Sequence, residues 1–148
     1  AILAGSIYGP SYLSFDFALS YYGLIPEKVT TYTSATFNKK KKKEYKNQFG
    51  YYTYRDVPQM VYPLEVKLIE EEGYSYQIAT PEKALCDLIS NISHLNLRYK
   101  KEILVWLEED IRFDMYELYN LDTSILREYA KVGKKSNMIN QLIKIIEQ

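Results

Sequence analysis

The sequence predicts an α+β fold: a small, mostly antiparallel sheet of two hairpins with flanking helices, followed by an all-helical C-terminal part. Residues 29–56 and 64–79 are rich in β-branched and aromatic residues, and each stretch is interrupted by a charged segment typical of a turn. Residues 97–146 show helical periodicity in short pieces. With 148 residues, the chain is long enough to bury one substantial core.

The first helix is predicted between residues 12 and 26, where its start, buried face and end can all be recognised. Ser14 can cap the first turn, and Gly23 can adopt the left-handed conformation that ends a helix. Pro26 prevents continuation. The apolar residues at helical spacing are Phe15, Ala18, Leu19 and Tyr22.

Two hairpins are predicted after this helix. Residues 29–37 and 44–56 would form the first, with Lys39 to Lys43 at its tip and the second arm bent, or split into two strands, at Gly50. The second would join residues 64–69 to 74–79 through an acidic turn that ends at Gly73. The two hairpins would together make a mostly antiparallel sheet.

The remaining elements are predicted to be helices. Thr80 is a capping residue and Pro81 suits the first helical position, so a helix is expected to start there. The C-terminal helices are expected at residues 97–109, 115–120, 124–132 and 136–146, the last one capped by Ser136. Its apolar face is expected to dock onto the domain's own core, with an intermolecular contact as the alternative. That face comprises Met138, Ile139, Leu142, Ile143 and Ile146.

The formal net charge is zero, but the charges are separated along the chain. Residues 28–55 hold eight bases and one acid, a balance of +7, and residues 65–110 hold ten acids and five bases, a balance of −5. The single Cys86 excludes an internal disulfide and is expected to be buried, which favours a reducing cytoplasm. No apolar run approaches the ~20 residues that a membrane span requires.

The basic residues of the first predicted hairpin are the candidate contact site for nucleic acid or a partner. Lysines at a hairpin tip can bind phosphates without reading sequence, or can simply keep a sheet edge solvated. The second interpretation is the more economical one. The candidate residues are Lys39, Lys40, Lys41, Lys42, Lys43, Lys46 and Arg55.

A weaker alternative is a metal-dependent nuclease. Asp56 precedes Glu65-Val66-Lys67 by nine residues, and two carboxylates with a lysine can hold Mg²⁺ and position a water. His94 has no carboxylate or thiol at ligand spacing, and the glycines form no phosphate-binding loop. We therefore expect no enzymatic activity, no cofactor and no metal.

Two blocks of the sequence resemble the C-terminal domain of AbiEi-type antitoxins. The first is Tyr12-Leu13-Ser14 with the stretch from Ala18 to Pro26, running into Thr33-Ser34-Ala35-Thr36. The second is the stretch from Ile78 to Leu88, and Phe49-Gly50 with Tyr54-Arg55 is similar to the aromatic strand between them. The resemblance covers residues 8–93, and the helical tail carries no specific motif.

The resemblance implies the antitoxin domain of a bacterial type IV toxin-antitoxin or phage-defence system. Such proteins join an N-terminal winged-helix domain to this domain, bind operator DNA to repress their own operon, and counter a nucleotidyltransferase-like toxin. Residues 1–11 are then interpreted as the remnant of an interdomain linker. Residues 12–148 would form one domain, α+β up to residue 93 and helical from residue 94. The resemblance places the winged helix outside this sequence, so DNA contact or self-association by this domain is a secondary expectation.

Overall fold

One mixed six-stranded sheet organises the molecule, with strands in the order β3-β4-β2-β1-β6-β5. The computed structural model describes the backbone of residues 1–148 and all side chains except those of Ile2 and Tyr74. The strands are β1 Tyr12–Leu13, β2 Thr31–Thr36, β3 Lys43–Asn47, β4 Gly50–Asp56, β5 Val66–Glu71 and β6 Tyr74–Ala79.

Seven α-helices accompany the sheet in the described chain. They are α1 Ile2–Ile7, α2 Phe15–Tyr21, α3 Pro81–Asn91, α4 Lys100–Val105, α5 Met115–Leu118, α6 Thr123–Val132 and α7 Ser136–Ile146. Helix α4 continues directly into a π-helical turn, Trp106–Asp110. Among the described residues, none of these helices has both the length and the apolarity needed to cross a membrane.

The predicted sheet of two antiparallel hairpins is wrong. Strands β2 and β4, expected to be the arms of the first hairpin, run parallel, with Thr31 opposite Tyr51 and Thr36 opposite Asp56. The antiparallel partner of β4 is β3. The run from Lys39 to Lys43 is therefore not a hairpin tip. It connects β2 to β3, and β4 lies between these two strands in the sheet.

Turn chemistry at residues 47–50 explains this difference. The Asn47 side-chain oxygen accepts hydrogen bonds from the backbone N–H groups of Phe49 (2.8 Å) and Gly50 (3.2 Å). Gly50 has φ +151°, a conformation that favours glycine. Together they make a tight turn that reverses the chain. The second arm is thus split into two strands at Gly50, one of the two expectations for this position, and these two strands pair with each other.

The sheet has its shortest strand in the middle. Tyr12 and Leu13, expected to open the first helix, instead form β1, which pairs antiparallel with β2 and parallel with β6.

The second hairpin is present as predicted, although β5 extends through Glu71 and the turn is confined to Glu72 and Gly73.

Helix α2 ends as the sequence indicates. Gly23 has φ +73°, its N–H donates to Ser20 O, and the N–H of Leu24 donates to Leu19 O (both 2.9 Å). This pair of bonds is the Schellman arrangement that satisfies the last carbonyls of a helix. Ser14 occupies the N-cap position, but its side chain makes no capping bond and is used elsewhere.

The helical half agrees with the predictions in most respects. Thr80 caps α3 by accepting from the N–H of Lys83 (3.3 Å), and Cys86 is fully buried. The apolar face of α7 docks onto the core as predicted, since Met138, Ile139, Leu142 and Ile143 are all buried. The predicted Ser136 cap is wrong, because the N-cap position is taken by Lys135 with φ +57°.

Gly23 and Gly5 provide a matched test of the left-handed helix end. A Cβ at either position would meet no atom within 4 Å, but only Gly23 has a positive φ. Gly23→Ala should lower the free energy of unfolding by about 1 kcal/mol, because a side chain is strained in this conformation. Gly5→Ala should be neutral or stabilising by up to about 1 kcal/mol, because alanine favours a helix. Urea unfolding measures both, and equal effects would contradict this account.

Candidate functional site

A fully buried carboxylate, that of Asp87 on α3, is the centre of the polar interior. It accepts hydrogen bonds at Oδ2 from the hydroxyls of Tyr12 (2.8 Å) and Ser14 (2.7 Å). At Oδ1 it accepts from the hydroxyl of Tyr129 on α6 (2.7 Å). The carboxylate thus joins the central strand, the start of α2 and the C-terminal helices to α3. We call these four residues, with Lys83, the Asp87 network.

Lys83 lies one helical turn before Asp87 and is also fully buried. Its ammonium group donates to the carbonyl oxygens of Val61 and Tyr62 (3.1 Å to the latter) and lies 4.8 Å from the centre of the Tyr12 ring. Lys83 therefore fixes the connection between β4 and β5 against α3. Because both carbonyls can accept from an ammonium or from a neutral amine, this contact persists in either protonation state.

For both Lys83 and Asp87, burial shifts the pKa more than the charge of the other residue does. Burial lowers the pKa of Lys83 to about 8, although the Asp87 charge opposes this change. Burial also raises the pKa of Asp87, while Lys83 and the three hydroxyl donors counteract the rise. Desolvation dominates in both cases because each group is removed from water.

Further polar contacts extend from α3 to the C-terminal helices. Ser90 Oγ lies 3.3 Å from the Tyr129 hydroxyl, and the Glu82 carboxylate accepts from the N–H of Asp122 at the start of α6 (2.9 Å). Helix α3 thus uses its polar side chains to position its neighbours. Groups that could act as acids or bases are engaged inside the core, so the arrangement is suited to holding segments together.

The two sequence blocks of the resemblance meet at the Asp87 network. The first block supplies Tyr12 and Ser14, and the second supplies Lys83 and Asp87. The sequence analysis gave Asp87 no role. The available signal was a pair of opposite charges one turn apart on a largely apolar helix, but nothing in the sequence marked Tyr129 as their partner.

The structure divides the predicted basic patch. Lys40, Lys41 and Lys42 are exposed in the β2–β3 connection. The Lys39 ammonium instead donates to Gly9 O (3.1 Å) and lies 5.0 Å from the centre of the Tyr8 ring.

The strand members of the patch lie on different faces of the sheet. Lys43 is opposite Tyr54 and Lys46 is opposite Tyr51, and the alternation along a strand places these two lysines on opposite faces. Arg55 shares the face of Lys46. The seven residues thus do not form one surface, and nucleic-acid contact through them stays a prediction.

The predicted nuclease arrangement is not assembled. The Asp56 carboxylate accepts hydrogen bonds from Thr36 Oγ1 (2.7 Å) and from the N–H groups of Lys39 (3.2 Å) and Lys40 (2.7 Å), so it organises the lysine connection. Strands β2, β1 and β6 lie between β4, which holds Asp56, and β5, which holds Lys67. Four strand spacings correspond to about 19 Å.

Glu65 also lies outside the strand that holds Lys67. It has φ +49° and precedes β5. Within the described residues, no group of three or more His, Cys, Asp or Glu side chains is placed to hold a metal ion.

His94 lies in the exposed connection after α3. It lines an apolar cavity of about 1130 Å³ together with Tyr99, Val105 and Trp106. His94 follows α3, which ends at Asn91, within a few residues.

Comparison with known proteins finds no relative of this chain: no family model, no curated protein and no solved structure matches it. The resemblance of residues 8–93 to AbiEi-type antitoxins therefore stays a prediction based on the two blocks.

Removing one hydroxyl tests the Asp87 network. Tyr129→Phe should lower the free energy of unfolding by about 1.5–3 kcal/mol, because a buried carboxylate loses a charge-assisted hydrogen bond. Tyr116→Phe is the matched control: that side chain is 91% exposed, so we expect a change within about 0.5 kcal/mol. Urea unfolding can be followed through the buried Trp106. Similar losses in both variants would contradict the proposed role of the carboxylate.

The lowered pKa of Lys83 predicts a pH dependence of stability. The folded pKa is about 8 and the unfolded pKa about 10.4, so between them the unfolded chain binds one more proton. Stability from this group therefore increases with pH in that window. Relative to Lys83→Met, the wild-type free energy of unfolding should increase by about 2 kcal/mol from about pH 7 to about pH 10.

Urea unfolding at several pH values measures this difference. Lys101→Met, which removes an exposed lysine, should run parallel to the wild type over the whole range. If the Lys83→Met curve is also parallel, the buried lysine does not titrate as described.

Proposed function

We propose that this chain is a non-enzymatic regulatory domain: the antitoxin part of an AbiEi-like, autoregulating transcriptional repressor that counters a nucleotidyltransferase-like toxin. The proposal includes a cytoplasmic location and operator binding by the full-length protein. Antitoxin action would be exerted through binding surfaces, with a second copy of the chain as a further partner.

One observation carries the proposal: both blocks of the resemblance contribute to the Asp87 network. Tyr12 and Ser14 are more than seventy residues from Asp87 in sequence, yet their hydroxyls bond the same carboxylate oxygen. The matching positions thus belong to one folded unit. This supports the interpretation of residues 12–93 as a defined domain type with residues 94–148 packed on it.

The roles of the buried polar residues also support binding over chemistry. Lys83 and Asp87 have a lowered and a raised pKa, as catalytic groups often do, but both are fully buried and bonded to the protein itself. Perturbed pKa values also arise in structural networks. A partner would meet the exposed charges instead, such as those of Lys40–Lys42 or of the acidic β5–β6 turn.

Co-expression with the toxin tests the proposal. The chain should relieve the growth arrest caused by a nucleotidyltransferase-like protein encoded beside it. Leu19→Asp, which buries a charge in the core, should unfold the domain and abolish relief. Tyr116→Phe, an exposed change, should leave relief intact.

Two outcomes would contradict the assignment. One is that the chain fails to relieve the arrest, although circular dichroism shows that it is folded and a longer protein containing it does give relief. The other is the lack of any nucleotidyltransferase-like reading frame next to the gene.

A further inference from the structure

A polar cavity of about 760 Å³ lies between the connection that follows α3 and one side of α7, from its N-cap Lys135 to Lys144 in its last turn. Three of its lining residues are cations, Arg98, Lys135 and Lys144, and no lining residue is acidic. We call this the α7 cavity. Its volume lies within the range of about 300–1,000 Å³ that is typical of small-molecule sites.

The cations of the α7 cavity lack counter-charges. Arg98 and Lys144 are exposed, and neither forms an ion pair with any side chain that the structure describes. The Lys135 ammonium donates to the carbonyl oxygen of Ile92, which holds its charge in place. Since an ammonium has three hydrogens, two remain for a ligand.

Like charge is concentrated at Lys135. Burial and the neighbouring charge of Lys134 together lower the pKa of Lys135. An anion bound in the α7 cavity would reduce this repulsion, since opposite charge within a few ångströms favours the ionised lysine. The cavity thus favours a negatively charged ligand.

The other lining residues indicate what accompanies the anion. Asn96, Asn140 and Gln141 have side-chain amides, each of which offers both donors and an acceptor. Leu95, Leu97 and Met138 add apolar surface to the lining. Cations beside amides and apolar surface match a phosphate attached to a flat, hydrogen-bonding group.

We propose that the α7 cavity binds the phosphates of a nucleotide, with Arg98, Lys135 and Lys144 contacting the phosphate chain and the amides contacting the nucleoside. A free nucleotide and a nucleotide within a nucleic acid share this chemistry. The inference rests only on the cavity and goes beyond the proposed antitoxin function. Either one can fail without the other.

Fluorescence anisotropy with labelled ATP tests the site at low salt. The wild-type chain should bind saturably at concentrations up to about 1 mM. The double variant Arg98→Gln and Lys144→Gln should bind at least about tenfold more weakly, because two charge-assisted contacts are lost. Both side chains are exposed, so the variant should keep the wild-type circular dichroism spectrum.

Two further variants separate local from general electrostatics. Lys28→Gln with Lys67→Gln removes the same charge from exposed positions outside the α7 cavity and should change affinity by less than about twofold. Asn140→Asp, which adds a negative charge inside it, should weaken binding by about tenfold or more.

Competition identifies the source of the phosphate. Unlabelled ATP that competes better than a single-stranded oligonucleotide supports a free nucleotide, and the reverse supports a nucleic acid. Triphosphate that competes as well as ATP would overturn the nucleoside contact. The proposal as a whole fails if neither ATP nor oligonucleotide binds saturably, or if Lys28→Gln with Lys67→Gln weakens binding as much as the cavity variant.

Discussion

The Asp87 carboxylate lies where the sheet, α3 and the C-terminal helices come together, and its contacts are hydrogen bonds from three neutral hydroxyls. No ion pair within 4 Å joins it to Lys83 among the described residues. The energetic balance is therefore that of a solvated anion whose water has been replaced by protein hydroxyls. Each donor comes from a different element, so the carboxylate can be satisfied only when those elements are all in place.

Lys83 holds a further segment against α3, the connection between β4 and β5, which has little regular structure. The connection between β4 and β5 contributes two carbonyl oxygens to its ammonium group, and Tyr62 packs edge-on against the Tyr12 ring at 5.1 Å. A backbone carbonyl that is buried without a hydrogen-bond donor would cost free energy. Lys83 avoids this cost because it donates to the carbonyl oxygens of the connection. One helix thus fixes the connection through a cation and the central strand through an anion, four residues apart.

What the sequence could predict was local. Thr80 with Pro81 and Gly23 act through neighbours within one or two turns, and both behave as expected. The apolar face of α7 is recognised from local spacing alone, and it is buried as expected. Strand pairing is non-local: nothing near Thr31 specifies Tyr51 as its parallel partner, because that register depends on the turn at Asn47 and on β1. Of the candidate sites, Asp56 was noticed for its charge, but its bonds to the lysine connection form only in the folded chain.

The two-residue strand β1 has a consequence for how the domain unfolds. It separates the β3-β4-β2 part of the sheet from the β6-β5 hairpin, and only Leu13 pairs directly with β6, opposite Ile78. A ladder this short contributes little cooperativity by itself. Side-chain contacts must therefore provide most of the coupling between the two parts of the sheet. Tyr12, which lies in β1, contributes to it through its hydrogen bond to Asp87. The two parts of the sheet are therefore joined through a buried charge on a helix as well as through the short backbone pairing of β1.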